Sequence, residues 1–316
     1  MIYTVTLNPA IDKTIYIDQL NQDDVTRVIK SIKDAAGKGI NVSKALKTLG
    51  TNSLATGITA GNNGKFIKNS LEALTIDYDF IDVLGETREN MKLIEISTNK
   101  TLEINELGPK VSETDLNRLI SNLKKRIKKE DIIILSGSLP KDLSQNTYYK
   151  LIKTFKTLGV ITVLDASGEA FNVALKALPT IIKPNIFELR SALNEPLTDE
   201  SSIVKSLKKL VNSGIELALC TLGKDGALAV SKSDVYKIHP LNLKANSTVG
   251  AGDAFISGLC YKLETNASLL EALKYASAVA SSAVLTENTS IGSKTIIDKL
   301  YQQIKITNLR EEENLC

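Results

Sequence analysis

The chain has 316 residues, 43% of them apolar, which suffices for one large α/β domain or two average ones. Its 39 basic and 36 acidic residues leave a net charge of +3, mixed along the sequence with no one-sign block, so neither nucleic acid nor a membrane surface is an expected partner. The start, MIYTVTLNPAID, has no basic leader, and no apolar run approaches the roughly 18 residues of a membrane span; a cytoplasmic location is expected.

Short β-rich runs alternate with longer amphipathic ones. In chain order, IYTVTL reads as a strand, Ile40 to Leu49 as a helix, SLATGI as a strand and Phe66 to Leu74 as a helix. The strand IIILSG from Ile132, a helix from Leu143 to Leu158, the strands VITVLDAS and TIIKPN, a helix from Ile203 to Val211 and the strand ELALCTLG continue the series. This alternation predicts βαβ units in a mostly parallel sheet covered by helices. Ligands bind outside the carboxyl ends of such strands, so LSGSLP, LDASG, IKPN and CTLGKDG all point toward one cleft.

Two segments break the rhythm. Lys13 to Asp18, Val25 to Ile32, Met91 to Ser97 and Thr101 to Asn105 read as strands with no helix of their own. They predict a small β-sheet lid made of residues 12–33 and 87–105, inserted into a core of residues 1–11, 34–86 and 106–316. Ile15, Ile17, Leu93 and Ile96 would give that sheet an apolar face in need of cover, and a homodimer through the lid supplies it. The end, REEENLC, reads as a solvated tail.

Cys220, Cys260 and Cys316 are too scattered, and odd in number, for a disulfide framework or a paired zinc site. The single histidine, His239, sits in a polar connection beside Pro240, so Ser-His-Asp chemistry is not expected. Proton transfer then falls to carboxylates or lysines. In STVGAGDAFISG (247–258), the small residues Gly250, Ala251 and Gly252 precede Asp253 at a predicted helix start, where free N–H groups and the helix dipole favour a phosphate. A carboxylate there is placed to take the proton of an attacking hydroxyl. In AAGKGINVSKAL (35–46), Gly37, Lys38 and Gly39 open another helix and set an ammonium beside free N–H groups. Neither stretch completes a Walker P-loop or a dinucleotide fingerprint.

With TLNPAID, TRENMKL (87–93), LSGSLP (135–140), KPNIFEL (183–189) and TLGKDGAL (221–228) standing in order between and around them, these stretches make the chain resemble the ribokinase-like (PfkB) sugar kinases along its whole length. The resemblance implies a three-layer α/β/α core with a mostly parallel sheet and a small β-sheet lid. AAGKGIN, TRENMKL and STVGAGD are most similar to the branch of the family that phosphorylates fructose 1-phosphate at O6 to give fructose 1,6-bisphosphate. Tagatose-6-phosphate and fructose-6-phosphate kinases are the alternatives, and a sugar-phosphate-sensing binding protein is the alternative that is not an enzyme.

The resemblance also assigns roles. Asp253 is the implied base and Gly250, Ala251 and Gly252 the anion hole. Asp12, Gly37, Gly39 and Asn41 are expected to orient the sugar, with Ser136 and Ser138 also touching it. Lys38, Arg88 and Lys92 supply cations for a phosphate already on the substrate, Arg88 in a fork suited to bidentate contact. The nucleotide side is expected to use Lys183, Asn185, Glu188, Thr221, Gly223, Gly226, Thr248, Val249 and Asn288. ATP and Mg²⁺ are the implied cofactors, and Glu188 would act on the metal through water. Met91 departs from the family's TRxNVKL, where a smaller β-branched residue is expected.

Overall fold

The structure, a computed structural model, describes residues 1–21, 23–286 and 289–310; Asn288, the tail from residue 311 and Cys316 lie outside the described residues. The first part of the chain runs β1 (Ile2–Thr6), β2 (Ala10–Ile17), β3 (Lys30–Ala36), α1 (Lys38–Leu49), β4 (Ser53–Ala60), α2 (Gly61–Ala73) and β5 (Asp77–Val83). Next come β6 (Arg88–Glu95), β7 (Lys100–Asn105), α3 (Glu113–Arg126), β8 (Ile132–Ser136), α4 (Thr147–Lys156), β9 (Ile161–Asp165), α5 (Gly168–Leu175) and β10 (Ile181–Ile182). The rest comprises α6 (Ile186–Leu193), α7 (Glu200–Asn212), β11 (Leu217–Thr221), β12 (Ala227–Ser231), β13 (Val235–Ile238), α8 (Ala251–Glu264), α9 (Leu269–Ala283), α10 (Lys294–Gln303) and β14 (Ile306–Asn308).

Ten strands form one sheet in the order β14-β13-β12-β11-β10-β9-β8-β1-β4-β5. From β5 to β11 every pairing is parallel, and β12, β13 and β14 extend it antiparallel. Side chains alternate across its two faces. Tyr3, Val5, Ile133, Leu135, Leu164 and Cys220 pack against α3, α4, α5 and α7. Ile2, Ile132, Ile134, Val163 and Leu219 pack against α1, α8 and α9. These near-continuous apolar strands are what a parallel sheet buried on both faces requires, and the result is the helix-covered, mostly parallel sheet that the alternation predicted. Cys220 and Cys260 are buried free thiols, whose ionisation burial opposes.

A second sheet, β3-β2-β6-β7, stands beside the first. Its root is wedged into the core: Ile11 and Ala35 are buried with Ile40 of α1 and Ile67 and Leu71 of α2. That contact corrects two expectations. The second strand is Lys30–Ala36 and not Val25 to Ile32, because β2 pairs from Ala10↔Ala36 to Tyr16↔Lys30, which sets Ile11 opposite Ala35; Val25, Val28 and Ile29 are left exposed. Ile15 and Ile17 are buried within the chain, whereas Ile96 and, on β7, Leu102 and Ile104 are half-exposed.

The segment joining the sheets is pinned. Glu86 accepts backbone hydrogen bonds from Asn62 (2.9 Å) and Asn63 (3.0 Å) at the start of α2, which hold its carboxyl below the usual range. Buried Thr87 accepts from the Ala60 N–H at 2.8 Å. Gly61, in the left-handed region at φ 61°, leaves the space that the Glu86 carboxylate fills.

Candidate active site

A cavity of about 430 Å³ opens where the two sheets meet. Asp165, Lys183 and Thr221, at the carboxyl ends of the adjacent parallel strands β9, β10 and β11, line one side, and Asp12, Arg88 and Asn90 of the small sheet line the other. Gly37, Lys38 and Asn41 come from the start of α1, and Val249, Gly250, Gly252 and Asp253 from the start of α8; Asn185, Glu188 and Thr289 complete it. Asp12 lies on β2 and not at the end of the first strand, because Pro9 separates β1 from β2.

Gly250 caps α8 at φ 81°, with no side-chain cap. Among the described residues, the N–H groups of the first turn therefore have no partner but for a long bond from Ala251 to the Thr248 carbonyl (3.4 Å), and can meet an anion. Asp253, in the same turn, is only 7% exposed. Its Oδ2 accepts from Asn41 Nδ2 at 2.8 Å, and it has no ion pair among the described residues. Burial, followed by the nearby charge of Asp165, pushes its carboxyl up to about 6, against the Asn41 hydrogen bond and the charges of Lys38 and Lys183. The group is still mostly ionised at pH 7 to 8, which suits a general base. Asn41 thus holds the carboxylate, and its own Oδ1 is buried without a partner among the described residues.

Asp165 was not among the residues expected from the sequence. It is buried, with Lys38 Nζ 3.2 Å from Oδ2 and Lys183 Nζ 3.3 Å from Oδ1. Burial alone would raise its carboxyl, but Lys183 and Lys38 together hold it below the usual range. Burial lowers the Lys38 ammonium's affinity for its proton, and the charges of Asp165, Asp253 and Glu188 more than restore it. The signal was present in LDAS, a carboxylate ending a buried strand. Lys183 also reaches toward Gly252, where a Cβ would stand 3.1 Å from its Nζ.

On the small sheet, Asn90 Nδ2 donates to Asp12 Oδ1 at 2.9 Å and Arg88 Nη1 donates to Asn90 Oδ1 at 3.3 Å. Arg88 Nε also donates to the Asn8 carbonyl (3.2 Å). Burial raises the Asp12 carboxyl, against Asn90 and Arg88. Arg88 has no ion pair among the described residues. Lys92 does not line the cavity, but it shares the strand face of Arg88 and Asn90.

Asn185 and Glu188 form a capping box on α6: Asn185 Oδ1 accepts from the Glu188 N–H (2.9 Å) and Glu188 Oε2 from the Asn185 N–H (2.8 Å). The second Glu188 oxygen is left for the cavity. No cluster of three metal-ligating side chains exists among the described residues; the hard carboxylate oxygens lining the cavity, that of Glu188 among them, are of the kind that meets Mg²⁺ through water.

Several expected residues serve the backbone instead of lining the cavity. A Cβ on Gly39 would stand 2.5 Å from Thr6 Oγ1, so its role is to let α1 approach β1. Gly223 and Gly226 form the turn after β11, where a Cβ on Gly226 would lie 2.1 Å from the Ile238 carbonyl oxygen. Ser138 is exposed, and Ser136 Oγ is buried without a partner. Thr248 and Ala251 flank Gly250 in its turn without lining the cavity. His239 Nε2 pairs with Thr307 Oγ1 at 2.9 Å, away from the cavity.

The model of the pfkB family of carbohydrate kinases matches residues 5–296. The chain belongs to that family. It is 33% identical to a tagatose-6-phosphate kinase of Staphylococcus epidermidis over 97% of this chain and 99% of the relative. It is also 33% identical to a 1-phosphofructokinase of Bacillus subtilis over 98% of this chain and 100% of the relative. Phosphofructokinase-2 from Escherichia coli in complex with fructose-6-phosphate superposes with a TM-score of 0.88 at 28% identity, covering 96% of this chain and 98% of that one. The tetrameric inhibited form of the same enzyme gives the same TM-score, identity and coverage. This pfkB member is a sugar-phosphate kinase, and ATP is the donor its family uses. Among the described residues, no helix is long and apolar enough to cross a membrane.

The raised Asp253 carboxyl has a stability consequence. Its folded value of about 6 exceeds the ordinary 3.8, so the folded protein binds the proton more tightly, and stability is lost as pH rises between those values. Asp253→Asn should therefore be more stable than the parent above pH 6, by up to about 3 kcal/mol, and the gap should close below pH 4. Urea unfolding across this range measures it; a variant less stable at pH 8 would contradict the burial of an unpaired charge.

Proposed function

We propose that the chain transfers the γ-phosphoryl of MgATP to O6 of fructose 1-phosphate, giving fructose 1,6-bisphosphate and ADP. The observation that carries this is the juxtaposition of a buried carboxylate in no ion pair among the described residues, Asp253, with the glycine-flanked N–H groups at the start of α8, of which Ala251 alone makes a long bond to the Thr248 carbonyl. Asp253 takes the O6 proton as the O6–P bond forms and the bond from phosphorus to the ADP oxygen breaks. The anion hole and the Lys183 ammonium stabilise the charge on the transferring group.

Arg88, a half-buried cation in no direct ion pair among the described residues, receives the phosphate already on the sugar, with Lys92 further out on the same strand face and Lys38 across the cavity. Asp12 and the unpartnered Asn41 Oδ1 accept hydrogen bonds from sugar hydroxyls. Thr221, Val249 and Asn185 border the nucleotide. Mg²⁺ bound to the ATP phosphates would neutralise their charge, and Glu188 would meet it through water. The small sheet acts as the lid. The choice of fructose 1-phosphate is supported by AAGKGIN, TRENMKL and STVGAGD and by the Bacillus relative's name; tagatose 6-phosphate is the second reading, supported by a relative at equal identity.

The exposed apolar residues Leu102 and Ile104 on β7, with Ile96 and Leu107 nearby, support a homodimer formed through the lid. A facing copy of the same surface would cover them.

Steady-state assays with MgATP should give the highest kcat/KM for fructose 1-phosphate among that sugar, fructose 6-phosphate and tagatose 6-phosphate, and Asp253→Asn should lose about 10²–10⁴-fold in kcat. A larger value with either competitor reassigns the substrate, and a variant keeping a tenth of the parent kcat removes the base. Arg88→Ala should raise KM for the sugar phosphate roughly tenfold or more, with KM for ATP little changed; the reverse pattern would move Arg88 to the nucleotide. In sedimentation equilibrium, the parent should run as a dimer and Leu102→Asp as a monomer, whereas a variant that stays dimeric places the interface elsewhere.

A further inference from the structure

Asp165 has no part in the chemistry just proposed, yet it is one of the most deeply enclosed groups in the cavity, 2% exposed. Among the described residues its oxygens meet only the two lysine ammoniums. Burying a carboxylate is costly, and an ion pair often fails to offset that cost in net stability, which points to a role beyond stability. Its two contacts come from different walls. Lys38 opens α1 on the sugar side and Lys183 follows β10 on the nucleotide side, with ammoniums at 3.2 and 3.3 Å from the two carboxylate oxygens. Asp253 shares the cavity with both lysines but pairs with neither; its polar contact is the neutral amide of Asn41.

We propose that Asp165 is a positioning residue for phosphoryl transfer: it draws the ammoniums of Lys38 and Lys183 onto itself and thereby keeps them off Asp253, leaving the base to face a substrate hydroxyl. A carboxylate captured in a salt bridge is a weaker base, and two lysines free in this cavity would capture it. Asp165 also adds a like charge, which opposes ionisation of Asp253 and so strengthens it as a base. The groups that act on Asp253 are thus Asp165 against its charge and Lys38 and Lys183 in favour of it, with Glu188 acting on Lys38.

The test reads the Asp253 carboxyl itself, by carbon-13 NMR titration of aspartate-labelled protein, the resonance being identified as the one missing from Asp253→Asn. Asp165→Asn should move the Asp253 titration to lower pH by about one unit or more, and the acidic limb of kcat/KM should move with it. Lys183→Met, which keeps the stem and removes a positive charge, should move it to higher pH, and Asp165→Ser takes the place of Asp165→Asn should the latter not fold. Opposite shifts support the inference; no shift, or shifts in the same direction, overturn it. The inference rests on Asp253 being the base, but failure of that assignment would appear in the turnover of Asp253→Asn and would leave the titrations unaffected.

Discussion

The burial of an ionised carboxylate at the first turn of α8, with no cation of its own, is the constraint around which the cleft is organised. Helix N-termini favour negative charge, and the glycine at φ 81° leaves the turn open to a phosphate. One carboxylate and one phosphate in such a turn repel each other unless cations stand near both. The cavity supplies those cations, Lys38 and Lys183, tied to Asp165 and separate from the base.

The large sheet makes this arrangement possible. Its parallel strands end side by side, so Asp165, Lys183 and Thr221 arrive at one edge although 56 residues of sequence separate the first from the last. The starts of α1 and α8 face that edge because both helices pack on the same face of the sheet. The small sheet is fixed at its root by Ile11 and Ala35 and at its connection by Glu86 and Thr87. Those anchors bring Asp12, Asn90 and Arg88 to the cavity's other side, so the sugar recognition proposed for them depends on how firmly the small sheet is held.

Much of this was legible in the sequence, for physical reasons. Strands buried on both faces read as continuous apolar runs, and glycine clusters before helices mark anion sites, so the α/β core, Asp253 and Lys38 stood out, whereas Lys183 entered only through the resemblance of KPNIFEL to the family. What escaped depends on register and on contacts distant in sequence. The β3 strand was displaced because Val25, Val28 and Ile29 look like strand residues locally, whereas the pairing of Ile11 with Ala35 decides the register. Ile15 and Ile17 could not be told from exposed positions by alternation alone. Asp165 was hidden because its partners lie far from it in the chain, and Asn90 because an amide bridging Asp12 and Arg88 has no local signature. Gly39 and Gly226 drew attention for their motifs, but close backbone approach explains them.

In the proposed reaction one buried carboxylate receives the proton of a sugar hydroxyl while Arg88 holds the sugar's own phosphate. A crystal structure with fructose 1-phosphate and a non-hydrolysable ATP analogue measures this most directly. The O6 hydroxyl should lie within about 2.6–3.2 Å of an Asp253 oxygen, the γ-phosphate over the N–H groups of Gly250 to Gly252, and the sugar phosphate on Arg88. A sugar bound with no hydroxyl near Asp253, or with its phosphate in the glycine turn, would contradict it.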